Sequence, residues 1–236
     1  MKQYCIGFIT ASCLTASIFL FMGAKKRTID NLIVQRVTIV DKNGNKVGEL
    51  GNANNRVFFW LSPPKYKGHM ISLTCQKQGG ALQIANGEGN EAISLKAGQN
   101  GSGTLITSNA SGDKIVSISS SNVDNGRINT FNANGRNTVS IGSNNAGNGR
   151  LVTYNHRGGE TTYLGTNDIN SGHLKTYNTF GHETVFAGTG KDDAGFLITR
   201  DGLGKKTTYL GTNAIGDGYM ETINKAGIKT GVLGKK

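Results

Sequence analysis

The sequence has little proline, few aromatic residues and almost no cysteine: two prolines, three cysteines and 7% aromatic residues in a chain of 236. So few aromatic residues exclude a large aromatic core, and the lack of glycine at every third position excludes collagen. Cys5 and Cys13 lie in an apolar segment, which leaves Cys75 alone outside it. We therefore expect no intrachain disulfide framework.

Patterns typical of catalysis and metal binding are also missing from the sequence. His156, His173 and His182 occupy three different positions of the repeat described below, and no Cys-x-x-Cys or His-x-x-x-His pair accompanies them. Calcium in the loops stays an alternative because Asp168 and Asp192 lie there, although the nonapeptide pattern of calcium β-rolls is absent. We predict a protein that is not an enzyme, with no cofactor and no metal site.

Glycine, by contrast, is abundant and recurs in a fixed register. Of the 35 glycines, seven are spaced 23 residues apart without an insertion or deletion. These are Gly80, Gly103, Gly126, Gly149, Gly172, Gly195 and Gly218. Disordered chains need no such register, so the period indicates one small structural unit copied along the chain.

Each repeat contains a turn signature, clearest in GRLVTYNHRGGETTYLGTNDINS from Gly149 to Ser171. Asn or Asp stands six residues after the leading glycine and a second glycine stands nine after it. This spacing favours a type I turn that ends in a left-handed glycine, as in three-residue hairpin loops with a glycine bulge. The predicted turn glycines are Gly89, Gly112, Gly135, Gly158, Gly181, Gly204 and Gly227.

The segments beside each turn predict short strands, because they are rich in Thr, Val, Tyr and Leu. We predict an all-β fold, a β-solenoid of about eight or nine hairpin-like repeats of 23 residues. An unclosed propeller or a meander is the alternative. We count positions within a repeat from its leading glycine as zero. If positions 6 and 10 pair across the turn, Leu151 and Leu164 lie on opposite faces of the hairpin, and so do positions 5 and 14. Such a hairpin is apolar on both faces and needs cover on both.

Residues 4–24 form an apolar segment without a charge, closed by Lys25, Lys26 and Arg27. A helix of this length reaches about 31 Å, enough for a bilayer core. We predict one N-terminal transmembrane helix, with a cleaved signal peptide as the alternative. The predicted organisation is a membrane anchor or signal segment at 1–27, degenerate membrane-proximal repeats at 28–79 and a regular array at 80–236.

The net charge of +11 is concentrated near the predicted membrane segment. Residues 1–79 hold 11 Lys and Arg against three acids, whereas residues 80–236 hold 15 against 12. Anionic lipid headgroups or membrane orientation explain this distribution more simply than nucleic acid does. The positive-inside rule would keep the Lys25 side in the cytoplasm. Lys2 before the apolar run resembles an export signal, and we therefore expect the repeats outside the cytoplasm.

Aromatic residues fall into two columns of successive repeats, which are the candidate binding residues. One column holds Phe131, Tyr154 and Tyr177, and the other holds Tyr163, Phe186 and Tyr209. Each column either packs between neighbouring units or forms a surface for glycan binding or self-association.

A further aromatic cluster lies at Asn52–Gly79, where the register breaks. The cluster is either a degenerate repeat with a longer turn or a ligand-binding patch. Its members are Phe58, Phe59, Trp60, Lys65, Tyr66 and Lys67.

The motifs RVTIVDKNGNKVGELG and TYNHRGGETTYLG resemble tandem units of uncharacterised bacterial proteins, common among planctomycetes, that carry an N-terminal apolar segment. The resemblance covers most of residues 34–236. It implies an envelope-associated repeat protein and supplies no catalytic residue. Hairpin solenoids of the choline-binding type are similar in plan, but their tryptophan-rich cage is missing here.

The expected function is that of a non-enzymatic, membrane-anchored structural or interaction protein of a bacterial cell envelope. Two alternatives remain at this point. One is a glycan-binding or adhesive surface module, and the other is a cytoplasmic, membrane-tethered scaffold that polymerises. Homo-oligomers or glycans are the expected partners, and nucleic acid is not.

Overall fold

The structure is a computed structural model, which describes residues 32–65, 68–77, 79–97, 101–120, 125–167, 170–190 and 192–234. The chain divides into two compact units, Met1–Gln35 and Arg36–Lys236. All strands of the described residues belong to the second unit. They are β1 (Arg36–Val40), β2 (Lys46–Ala53), β3 (Arg56–Leu61), β4 (Ile71–Gln76), β5 (Gly79–Ala85), β6 (Glu91–Ala97), β7 (Gly103–Ser108), β8 (Lys114–Ser120), β9 (Gly126–Phe131), β10 (Asn137–Ser143), β11 (Gly149–Tyr154), β12 (Glu160–Thr166), β13 (Gly172–Tyr177), β14 (Glu183–Thr189), β15 (Gly195–Arg200), β16 (Lys206–Thr212), β17 (Gly218–Ile223) and β18 (Lys229–Leu233).

The strands form one open antiparallel sheet of 18 strands. Each strand pairs with the strand that follows it in the chain, from β1 with β2 through to β17 with β18. The predicted all-β repeat fold is confirmed. The pairing is that of the alternative meander rather than of stacked solenoid coils.

Short connections on both sides of each strand explain the meander. In the repeat that begins at Gly149, only residues 155–159 separate β11 from β12, and only residues 167–171 separate β12 from β13. A connection that returns to a parallel strand needs a dozen residues or more. These five residues, closed by the hydrogen bond that Asn155 N donates to Gly159 O, reverse the chain into the adjacent antiparallel position.

The first turn of each repeat has a hydrogen-bonded core around Asn or Asp. In the β11–β12 turn, Gly158 N donates to Asn155 O at 2.9 Å. The Asn155 Oδ1 atom accepts from the backbone N–H of Arg157 at 2.9 Å and of Gly159 at 3.0 Å. All seven predicted turn glycines have φ between 72° and 89°, which is the left-handed region that glycine enters without steric cost.

A second tight turn, which the sequence did not reveal, joins one repeat to the next. Asn144 accepts from Gly147 N at 3.0 Å, and Asn213 accepts from Gly216 N at 3.1 Å. In two other repeats the left-handed position is filled by Asn170 (φ 62°) and Asp193 (φ 58°). The signal is hidden in the sequence because glycine, asparagine and aspartate alternate at this position.

The register break after Asn52 has a local cause. Strands β2 and β3 are joined by Asn54 and Asn55, whose φ values are 51° and 58°. Positive φ at both central residues is typical of a two-residue type I′ hairpin. The connection between repeats, which is five residues long at 167–171, is therefore shortened here to two residues, and the repeat loses its spacing.

A β-bulge in the second strand of each regular hairpin sets which residues share a face. Thr153 pairs with Thr162 but Tyr154 pairs with Glu160, so Thr161 is an extra residue. The Thr153 hydroxyl lies 2.7 Å from the Thr161 hydroxyl. The predicted pairing of turn residues did not include this bulge. Its assignment of Leu151 and Leu164 to opposite faces was therefore wrong. Register places Leu151 directly opposite Leu164, on the same face.

One face of the sheet carries an unbroken row of apolar side chains, one from every strand and each directly opposite the next. We call it the apolar row, and its face the apolar face. Its residues are Val37, Leu50, Phe59, Leu73, Leu82, Leu95, Leu105, Ile118, Ile128, Ile141, Leu151, Leu164, Leu174, Ala187, Leu197, Leu210, Met220 and Leu233.

The opposite face, which we call the mixed face, carries polar, charged and aromatic residues in equivalent rows. Its central row contains six of the buried side chains: Glu49, Ser94, Ser117, Ser140, Val152 and Glu221. Val152 is the one hydrophobic side chain fully buried among the described residues. The buried side chains of this sheet thus lie mostly in one row of the mixed face, and not in an apolar core between two layers.

The predicted membrane segment, residues 4–24, lies outside the described residues, as does the whole of 1–27. Within the described part of the chain, no helix has the length and apolar character needed to cross a bilayer. Strands from the predicted sections 28–79 and 80–236 belong to the same sheet, because β4 pairs with β5 over residues 71–84.

Candidate binding face

The mixed face carries a continuous stack of six rings on six consecutive strands, β12 to β17. We call this stack the aromatic ladder. Its members are Tyr163, His173, Phe186, Phe196, Tyr209 and Tyr219. Consecutive ring centroids lie 5.0, 5.4, 5.0, 5.9 and 6.1 Å apart, and all pairs but the last are stacked face to face. These spacings fall in the range of favourable aromatic pairs.

Glycines in alternate strands make room for these rings. A Cβ on Gly188 would lie 2.6 Å from His173 Cβ, and one on Gly211 would lie 2.8 Å from Tyr209 Oη. Tyr209 extends along its own strand over Gly211 and donates its hydroxyl to Thr212 O at 3.1 Å. Covering a strand glycine with a neighbouring aromatic ring compensates for the side chain that glycine lacks.

The sequence predicted half of the ladder. Tyr163, Phe186 and Tyr209 were assigned to a column, but the intervening His173, Phe196 and Tyr219 were not. These three stand one residue after the leading glycine, far in sequence from the column. The usable signal was the regular glycine at Gly165, Gly188 and Gly211, which leaves space that an aromatic neighbour fills.

The second predicted column lies on the same face, not the opposite one. Phe131, Tyr154 and Tyr177 stand two residues beyond Asn129, Val152 and Lys175 of the central row. The structure therefore brings both predicted columns onto the mixed face. Tyr163, Phe186 and Tyr209 stand in the central row itself, and the other column lies two residues to one side of it. The bulge described above causes the change, because it restores positions 5 and 14 to one side of the hairpin.

A groove of about 300 Å³ lies between the two columns, where the ladder begins. Its lining combines aromatic rings with polar groups that can form hydrogen bonds with hydroxyl groups. The lining residues are Asn144, Glu160, Tyr163, Thr166, Asn167, His173, Lys175 and Tyr177. Concave sites with aromatic walls and a few polar groups are typical of small-molecule binding.

His173 is the most buried residue of the groove, at 7% exposure. Burial, and to a lesser extent the Lys175 ammonium, hold its pKa below the ordinary value. Its Nδ1 atom is buried without a hydrogen-bond partner among the described residues. A neutral imidazole stacked between Tyr163 and Phe186 thus leaves one polar atom unpaired.

Two tyrosines of the other predicted column, of which Tyr177 lines the groove, have raised pKa values. Burial and the nearby Glu160 carboxylate raise the pKa of Tyr154 and of Tyr177 above the ordinary value. Both tyrosines therefore keep their hydroxyl protons at neutral pH and can donate as well as accept hydrogen bonds.

Ion pairs border the ladder on strands β13 to β18. Glu183 accepts from Arg200 Nε at 3.1 Å and lies 3.7 Å from Lys175 Nζ. Glu221 pairs with the ammonium groups of Lys206 and Lys229. The lysines of this face also approach ring faces, for example Lys175 at 5.6 Å from the Phe186 centroid.

A second groove, of about 310 Å³, lies on the mixed face around Trp60. The Trp60 and His69 ring centroids are 4.4 Å apart. Of the aromatic cluster predicted there, Phe58 and Trp60 lie on this face, whereas Phe59 belongs to the apolar row. Tyr66 and Lys67 lie outside the described residues.

Within the ranges that the structure describes, no group of three or more His, Cys, Asp or Glu side chains could hold a metal ion. Comparison with family models gave no match to the chain, and comparison with curated proteins gave none either.

Proposed function

We propose that the chain is a non-enzymatic structural or interaction protein of a bacterial cell envelope. In this proposal residues 4–24 form a transmembrane helix that anchors it, and the repeats lie outside the cytoplasm. The observation that carries the proposal is the register across 18 strands, which places side chains of the same type in rows on both faces. Such rows offer an extended, repetitive surface, as binding surfaces of repeat proteins do.

A topology experiment tests the anchor and the side of the membrane. Full-length chain carrying a reporter after Lys236, active only outside the cytoplasm, is expected in the membrane fraction with an active reporter. Leu14→Arg combined with Ile18→Arg should release it from the membrane, since charges at a helix centre oppose insertion. The matched control is Leu32→Arg with Ile33→Arg, just outside the segment, which should leave the chain in the membrane.

An inactive reporter in the membrane fraction would favour the cytoplasmic scaffold instead. Recovery of the unmodified chain in the soluble fraction would contradict the anchor.

Glycan binding by the mixed face is the second candidate function. It is favoured by the ladder and the 300 Å³ groove beside it. Sugar rings pack their apolar faces on aromatic rings, and their hydroxyls bond to groups such as the Glu160 carboxylate and the Asn144 amide.

Binding to arrayed envelope polysaccharides tests this second candidate with full-length chain in detergent. Tyr163→Ala with Tyr177→Ala should reduce binding at least tenfold, because both rings line the groove. Phe180→Ala is the matched control, since Phe180 is an aromatic residue that is 85% exposed in a turn outside the groove. Absence of binding, or equal loss in both variants, would contradict the candidate.

A further inference from the structure

The apolar face is the largest feature of the sheet without an assigned partner. Twelve of its 18 row side chains are between 37% and 74% exposed. They are Val37, Leu50, Leu73, Leu95, Ile118, Ile128, Ile141, Leu164, Leu174, Leu210, Met220 and Leu233. Soluble monomers seldom expose apolar patches beyond a few hundred Å², and larger ones mark interaction sites.

Charge is distributed unequally between the two faces. Register places every charged residue of the 18 strands on the mixed face. The apolar face therefore has no Lys, Arg, Asp or Glu within the strands. Depletion of charge is what distinguishes the buried centre of a protein interface from ordinary surface.

We propose that the apolar face is an interface between two copies of this chain, packed sheet on sheet. Two aligned sheets pack about 10 Å apart with their inner side chains interdigitated, as in β-sandwiches. The apolar row is suited to such packing because every copy repeats the same side-chain types at the same strand spacing. The same patch then serves on both subunits, as in an isologous interface.

The available area matches what a stable dimer needs. At about 4.8 Å per strand, 18 strands extend over roughly 80 Å. The apolar row and the parallel row two residues away, in which threonines such as Thr153 are interspersed with aliphatic residues such as Ile84 and Val139, together span about 14 Å along the strands. The resulting footprint of roughly 1,100 Å² per copy exceeds the roughly 800 Å² that each partner buries in a standard interface.

Other occupants fit the apolar face less well. Residues 4–24, taken as a helix, would reach about 31 Å and cover less than half of the row. An anionic lipid surface attracts faces that carry Lys and Arg around their apolar residues, and the strands supply none on this face. A second copy matches the row over its whole length.

Photo-cross-linking of full-length chain in intact cells tests the interface. With Leu164 replaced by p-benzoylphenylalanine, the expected product has twice the 25.0 kDa mass of the chain. The same replacement of Phe180, exposed in a turn of neither face, should give no such product. A product with lipid or with a different protein only, no product, or equal yields at the two positions would overturn the proposal.

A charge placed in the apolar row provides a second test of the interface. In the Leu164 photo-cross-linking background, Leu210→Lys should lower the yield of the double-mass product at least tenfold, because it would bury an unpaired ammonium. Leu203→Lys makes the same change at a turn leucine that is 67% exposed and should leave the yield unchanged. Since Leu210 is itself 51% exposed in the single sheet, the lysine does not require refolding of that sheet. An unchanged yield with Leu210→Lys would overturn the interface.

Discussion

At the scale of single residues, the turn glycines are required by backbone conformation and not by packing. Gly158 has φ 89°, yet a Cβ built there would meet nothing within 4 Å. The strain of a side chain in this left-handed position is therefore the whole effect of a substitution. A β-branched residue carries the largest such strain, because two heavy atoms on Cβ crowd the backbone.

Gly158→Val should lower the free energy of unfolding by about 1–3 kcal/mol. Gly149→Val is its control, since Gly149 also has open space but no left-handed φ, and it should leave stability unchanged or slightly higher. Denaturant unfolding of the two variants measures the difference. Equal stabilities would show that the turn does not need the left-handed conformation.

Glu221 is a second residue whose role is local. Its side chain is 5% exposed, and the carboxylate pairs with Lys206 Nζ at 2.5 Å and with Lys229 Nζ at 2.7 Å. Hydrogen bonds from Lys206 and then Lys229 lower its pKa from 4.5 to about 2. The folded state thus favours the charged form more than the unfolded state does. This stabilisation is complete above about pH 4.5 and is lost as the pH falls towards 2.

Glu221→Gln should therefore be less stable than the parent at pH 7 but lose less stability between pH 5 and pH 2. Glu88→Gln, the same change at an exposed turn residue, should follow the parent at every pH. Thermal unfolding across this range provides the comparison. If Glu221→Gln kept the full acid sensitivity of the parent, the two lysine pairs would not be its source.

At the scale of strands, the ladder depends on glycines that leave space for rings. Gly188→Ala would place a methyl group 2.6 Å from His173 Cβ and 2.9 Å from Gly172 O. Since one neighbour is backbone, the clash cannot be relieved by a rotamer change. We expect a loss of about 1–3 kcal/mol in unfolding free energy and a weaker near-ultraviolet signal from the stacked rings.

Gly195→Ala is the control for this prediction, because a Cβ at Gly195 meets no atom closer than 4.0 Å. It should preserve both stability and the aromatic signal. If Gly188→Ala behaved in the same way, the ladder would have to tolerate a wider strand separation than the structure shows.

The strands and first turns were predictable from sequence because their causes are local. The Asn155 side chain and Gly158 act within five residues of each other, and Thr and Val beside them favour strands. The face assignment was not predictable, since it depends on whether Thr161 is paired or bulged. The ladder was found in part because His173 meets Tyr163 only through the register of two strands.

At the scale of the whole sheet, stability is built from contacts between neighbouring strands. Val152 is the one hydrophobic side chain fully buried among the described residues, and each strand contacts only its neighbours in sequence. Proteins of this kind behave as one-dimensional arrays, in which each unit is stabilised by the units on either side. A second copy on the apolar face would add the missing second layer.

The assignment of side chains to two faces depends on the meander. A meander and a solenoid differ in the distance that the chain advances along the sheet with each repeat. A meander advances two strands, about 9.6 Å, for every repeat, whereas a solenoid coil advances one strand spacing of about 4.8 Å. Ser111 and Leu203 occupy equivalent turn positions four repeats apart. Eight strand spacings separate them in the structure.

Pulsed dipolar spectroscopy between spin labels at Ser111→Cys and Leu203→Cys measures this separation most directly. Cys5, Cys13 and Cys75 would be replaced by serine, and labelled full-length chain would be diluted with unlabelled chain to isolate the distance within one molecule. The structure predicts a distribution centred near 38 Å, from eight spacings of about 4.8 Å. A distribution centred near 19 Å, the value for four stacked coils, would contradict the open sheet and the two faces derived from it.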